Sequence, residues 1–123
     1  MNIVRSLLLA TLIPICGSAQ AIDRDGAQLE LAQATTSVQA AERDDAARYA
    51  PADLAEAHVM LDQALHAADD RAWMEVAIYS ERAKVNGDLA SARSRQQRAE
   101  AATAEIQRGL DALQAGTVNG DAP

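Results

Sequence analysis

Residues 49–70 read YAPADLAEAHVMLDQALHAADD, and the proline near their start decides the fold. Pro51 is the only proline between Ala27 and Gln114. It disfavours α geometry at Ala50 and suits the first turn of a new helix. Asp53 and Glu56 then place negative charge at the N-terminal end of that helix, where the macrodipole favours it. Leu54, Ala57, Leu61, Ala64, Leu65 and Ala68 supply an apolar face at helical spacing. Asp69-Asp70 stops the pattern, and either residue can cap a following helix. The stretch predicts a helix over about 51–68 that begins at a sharp turn.

Upstream, Ala27, Leu31, Ala34, Val38 and Ala41 are spaced alternately four and three apart, the heptad spacing that keeps one stripe facing a partner helix. This predicts a first helix over about 26–48. Downstream, a third helix is expected over about 71–114, ~65 Å long at 1.5 Å per residue. Its seam, Val76, Ser80, Ala83, Gly87, Ala90 and Ser94, is built from small residues that let two helix backbones approach closely. Beyond Gln97 the stripe changes to Ala99, Ala102, Ile106, Leu110 and Leu113, and residues 116–123 are expected to fray.

Alanine dominates, phenylalanine is absent, and no window shows the alternation of a strand. The expected fold is therefore all-α. It is a three-helix antiparallel bundle or hairpin with a long third helix and a coiled-coil-like small-residue seam. Helices two and three form the hairpin and helix one packs beside them. The alternative is one long hairpin, kinked at Pro51, in which helices one and two stack end on.

The N-terminus reads as a signal peptide over 1–21, leaving a helical domain over 22–115. Met1–Arg5 carries one positive charge, Ser6–Ile15 is uncharged and apolar, and Ala19-Gln20-Ala21 supplies a small-x-small cleavage site. The apolar run is short of the ~20 residues that cross a bilayer, so no transmembrane segment is expected after processing. Export to the periplasm follows. Cys16 offers a competing reading, acylation into a membrane-anchored envelope lipoprotein. Ile15 stands before it, where a small residue is preferred.

Cleavage after Ala21 removes the only cysteine, and with it any disulfide, thiol nucleophile or thiolate metal site. Losing Arg5 shifts the formal charge from −7 to −8. That argues against nucleic acid and against anionic lipid as partners. Ile22–Asp70 holds eleven acidic and three basic residues, whereas Arg71–Arg98 holds six basic and three acidic. An acidic pair of helices packing on a basic third is the reading this suggests.

Candidate chemistry is sparse. His58, Asp62 and His66 lie four residues apart, and imidazole–carboxylate–imidazole suits zinc, copper or nickel. Successive steps of four drift ~40° around a helix, so the outer two are poorly placed for one ion. A solvated polar face is the simpler reading. Met60 and Met74 read as gap-fillers of a core. Arg93, Arg95, Arg98 and Arg108 read as a salt-bridged face before an anion strip. Tyr49 and Trp73 stand near the two turns, where a ring can seal the end of an alanine-filled bundle. No nucleophile–base–acid set, phosphate loop or zinc-protease motif is present, so neither catalysis nor a cofactor is expected.

A core of alanine methyls is marginal, because burial stabilises by ~25 cal/mol per Å² and each methyl covers little. The stripe Ile106, Leu110, Leu113 has no evident mate among the shorter helices. It is expected to mediate self-association or docking on another envelope protein.

Residues Ala40-Ala41-Glu42-Arg43 and Tyr49-Ala50-Pro51-Ala52-Asp53-Leu54, then Ala57, Leu61, Ala64 and Ala68, and the run Val76…Tyr79-Ser80…Ala83, resemble the bacterial family catalogued as domain of unknown function 4398. The resemblance implies an exported envelope protein; some members are acylated and some fused to a peptidoglycan-binding domain. It brings no activity. This chain departs from the family pattern at Val76, Ser80 and Gly87, where alanine is usual.

Overall fold

A computed structural model describes residues 23–120, which form an all-α fold. The elements are α1 (Arg24–Arg43), α2 (Ala46–Tyr49), α3 (Pro51–Asp69) and α4 (Trp73–Gly120). The proposed signal peptide, its Ala19/Ala21 cleavage site and Cys16 lie outside the described residues.

Asp23 opens α1 by accepting a hydrogen bond from the Gly26 N–H at 2.8 Å, the side-chain cap that satisfies a free backbone donor. The helix ends at Arg43 and not near Arg48. Asp45 adopts left-handed geometry at φ 64°, which aspartate tolerates better than most residues. One further turn, α2, follows before Pro51 opens α3 as its sequence predicts.

Neither Asp69 nor Asp70 caps the next helix. Asp69 is the last residue of α3 and Asp70 its C-cap. Arg71 takes the left-handed position at φ 58°. The Ala72 N–H then reaches back to the Ala67 carbonyl at 2.9 Å and the Arg71 N–H to Ala68 at 3.1 Å, closing the helix. That closure takes up the residues expected to start the third helix, so α4 begins at Trp73.

The bundle runs up, down, up. Ser37 meets Lys84 and Asp88, and Asp44 meets Ser91 and Arg95, so α1 lies parallel to α4. Glu42 meets His58, and Ala27 clusters with Ala67, so α3 runs antiparallel to both. Helix one is thus a true third member of the bundle, not an end-on extension of α3.

The expected seams form its interior. Ala27, Ala34, Val38 and Ala41 of α1 are buried, as are Leu54, Ala57 and Ala64 of α3 and Val76, Ser80, Ala83, Ala90 and Ser94 of α4. Leu31, Leu61 and Ala68 are half-buried. Leu65 departs from the expectation at 47% exposed. It lies one residue, about 100°, round the helix from the Ala64 seam position. Ala67 is buried instead. The largest fully enclosed side chains are Val38, Val76, Ser80 and Ser94, so the helices meet almost backbone to backbone. Trp73 closes one end, packed with Ala27, Ala67 and Val76, with the Arg24 guanidinium 5.8 Å from its ring centroid. Tyr49, at the other end, is half-buried beside Arg48.

α4 is 48 residues long, roughly 72 Å, against 20 and 19 for α1 and α3. Every residue from Arg95 to Thr117 is exposed. The far end of α4 therefore projects beyond the bundle. The helix also continues through Gly116 to Gly120, where the sequence suggested fraying. An isolated glycine weakens a helix by about 1 kcal/mol without stopping it, and no proline intervenes before Pro123.

Candidate interaction surface

Two polar clamps tie α1 to α4. At the first, the Ser37 hydroxyl donates to Asp88 Oδ1 at 2.5 Å, and Lys84 Nζ lies 3.2 Å from Asp88 Oδ2. These bonds, the serine's first, hold the Asp88 carboxyl below its ordinary range. At the second, Asp44 accepts from the Ser91 hydroxyl and from Arg95 Nε at 2.8 Å, and its backbone carbonyl accepts from Ser94. The Ser91 and Arg95 bonds likewise lower the Asp44 carboxyl. A third tie joins α3 to α4. Arg93 Nη1 donates to both oxygens of Asp53 at 2.7 and 2.8 Å.

The acidic first part of the chain and the basic stretch of α4 are therefore paired through Asp44–Arg95 and Asp53–Arg93. Charge segregation in the sequence pointed to that pairing, but not to the serines that bridge it. Arg98 and Arg108 stand exposed on the projecting half. Met74 is 53% exposed and Met60 half-buried, so neither fills the core.

The structure separates the candidate metal ligands. His58 Nε2 faces Glu42 Oε1 across the α1–α3 boundary at 3.1 Å. His66 turns back on its own helix, where Nδ1 donates to the Asp62 carbonyl at 2.8 Å. That bond, helped by the Asp62 charge, raises the His66 pKa. Asp62 thus lies near His66 alone. Among the described residues no three His, Cys, Asp or Glu side chains converge to hold a metal.

Ile106, Leu110 and Leu113 are 64%, 49% and 69% exposed. They share one face of α4, and that face does not begin with them. Ile78, Val85, Ala92, Ala99, Ile106 and Leu113 repeat every seven residues, and Leu89 and Leu110 lie beside them four residues on from Val85 and Ile106. Ile78, Val85 and Leu89 are also exposed. One apolar stripe thus runs along the outside of α4, opposite the Val76–Ser94 seam, from the bundle onto the projecting arm. Only its last three residues stand out in the sequence, because the Val76–Ser94 seam already accounts for the helical spacing of the first half of α4.

These features define a class: a small all-α bundle with an alanine–serine core, whose long last helix carries a second, uncovered apolar stripe. The family model described as Domain of unknown function (DUF4398) matches residues 29–106, from α1 onto the projecting arm. The chain belongs to this family. Neither a curated protein nor a solved structure matches it. Among the described residues, no helix is long and apolar enough to cross a membrane.

Proposed function

We propose that the chain is a non-catalytic structural or interaction module of the cell envelope, exported to the periplasm by residues 1–21. The observation that carries this reading is the uncovered Ile106–Leu110–Leu113 stripe on a helix that outruns its own bundle. Three large side chains standing in water on one face cost stability that an association partner restores. The bundle half would hold the arm rigid. Within the bundle, Asp44 with Arg95, Asp53 with Arg93 and Lys84 with Asp88 tie its helices and turns in place.

A photo-reactive residue at position 110, compared with one at Arg108 on the opposite side of the arm, tests this in cells. Adducts at 110 that disappear with Ile106→Asp are expected. No adduct at 110 overturns the interaction reading. Intact mass checks export separately, with Ile22 expected at the mature N-terminus.

A further inference from the structure

We propose that the occupant of the outer α4 stripe is a second copy of this chain, lying antiparallel, so that each projecting arm covers the bundle half of its partner. This rests on the interaction reading above and names the partner. Each half of the stripe carries an exposed apolar pair four residues apart, Val85 and Leu89 on the bundle and Ile106 and Leu110 on the arm, with Ile78 and Leu113 exposed beyond them. In one antiparallel register, Leu110 meets the partner's Val85 and Ile106 meets the partner's Leu89. Ala99 then meets the partner's Gln96, and Leu113 lies along the stem of the partner's Arg82. Two-fold symmetry repeats every contact, as a self-complementary interface requires. The shared stripe from Ile78 to Leu113 is roughly 50 Å long.

Three observations favour this occupant and this direction. Along the flank of the stripe, the same register brings Glu100 beside the partner's Arg93, an opposite-charge pair made twice. A parallel, in-register pair would instead place Arg82 against the partner's Arg82 in the seam. Second, Trp73–Gly120 carries six acidic and six basic residues, so the chain's excess negative charge lies on the helices turned away from this face. Two copies can therefore meet along α4 without net repulsion. Third, Ala102, Gly109 and Gly116 line one edge of the arm seven residues apart. Among the described residues, and apart from its own helix backbone and chain neighbours, nothing lies within 4 Å of a Cβ built at Gly109 or Gly116. Mid-helix glycines that no neighbour among the described residues requires are accounted for by a partner approaching closely at that edge.

Single-cysteine chains test register and partner together, in the mature chain, which has no other cysteine once Cys16 is removed. Val85→Cys mixed with Leu110→Cys is expected to give a mixed disulfide dimer under mild oxidation. Either variant alone is expected to give little. A Leu110→Cys dimer formed alone would overturn the antiparallel pairing. Sedimentation showing only monomer at micromolar concentration would overturn self-association altogether. If position 110 nevertheless crosslinks to a different protein in cells, the interaction reading stands and this inference falls. A last variant separates packing from helix strength. Gly109→Leu improves helix propensity, yet it is expected to weaken dimerisation by roughly tenfold or more; unchanged dimerisation would remove the close edge contact from the proposal.

Discussion

Gly87 of α4 rests directly on Ser37 of α1. A Cβ at Gly87 would stand 2.8 Å from Ser37 Oγ, 3.0 Å from the Ser37 carbonyl carbon and 3.0 Å from the Val38 nitrogen. The hydroxyl could rotate away, but the two backbone atoms belong to a helix and cannot move alone. Gly87→Ala gains about 1 kcal/mol of helix propensity and incurs overpacking of about 1–3 kcal/mol. Because the obstacle is backbone, the upper part of that range applies. A net loss of about 1–2 kcal/mol is expected by chemical denaturation, and a gain would show that α1 slides freely on α4.

Ser80 should behave in the opposite way. Its Oγ is fully buried and has no hydrogen-bond partner among the described residues. An orphaned buried hydroxyl costs about 1–3 kcal/mol. Ser80→Ala keeps the size and removes the orphan, so stability should rise by about 1 kcal/mol in thermal or urea unfolding. A loss of stability would mean that the hydroxyl is bonded in solution.

The turn between α3 and α4 holds a non-glycine residue in the left-handed region, Arg71 at φ 58°. An L-residue there costs about 1–2 kcal/mol that glycine avoids, partly offset by the greater freedom of glycine in the unfolded chain. Arg71→Gly is expected to stabilise the bundle by about 0.5–1 kcal/mol, read as a raised midpoint with unchanged slope in urea. Arg71→Ala, which keeps the Cβ, should bring no such gain.

Acid should open the α1–α4 interface first. Both clamp carboxylates, Asp44 and Asp88, are held below the ordinary value of 3.8 by serine and by Arg95 or Lys84 bonds. A depressed folded-state pKa contributes stability above the unfolded value and loses it as pH falls through the folded value. The loss should therefore begin below about pH 4 and continue as each folded-state carboxylate protonates. Amide exchange followed across that range should show the facing segments of α1 and α4 losing protection ahead of α3. Ser37→Ala together with Ser91→Ala should flatten this acid response, and an unchanged response would assign it to other carboxylates.

How much of this was legible beforehand follows from what each residue type can signal. Seam positions such as Ala34, Val38, Ala83 and Ala90 are buried where their heptad spacing placed them, because a helix maps sequence onto a face with little freedom. Pro51 fixed the start of α3 for the same local reason. The early end of α1 was not visible, since Asp44 and Asp45 are compatible with a helix until tertiary contacts with Ser91, Ser94 and Arg95 draw Asp44 away. Those contacts join residues about fifty positions apart and leave no local pattern. Leu65 is apolar and adjoins the Ala64 seam position, but a single residue turns the helix by about 100°, which carries it out of the face. On the candidate surface, the arm's leucines were readable as unmatched. The stripe's first half was not, because Ile78, Val85 and Leu89 share their turns with a seam that fully accounts for the helix.

Trp73, the chain's one tryptophan, is half-buried against Ala27, Ala67 and Val76 at the end of the bundle far from the arm. Its emission is thus a built-in optical gauge of whether the three helices are closed. The last twenty residues of its own α4 lie far along the helix, and a partner's arm laid on the outer stripe would stand across α4 from the ring, so arm engagement should change the signal little. Bundle opening and arm engagement can therefore be followed in the same cuvette as separate equilibria, one by fluorescence and the other by hydrodynamic size, with no label added.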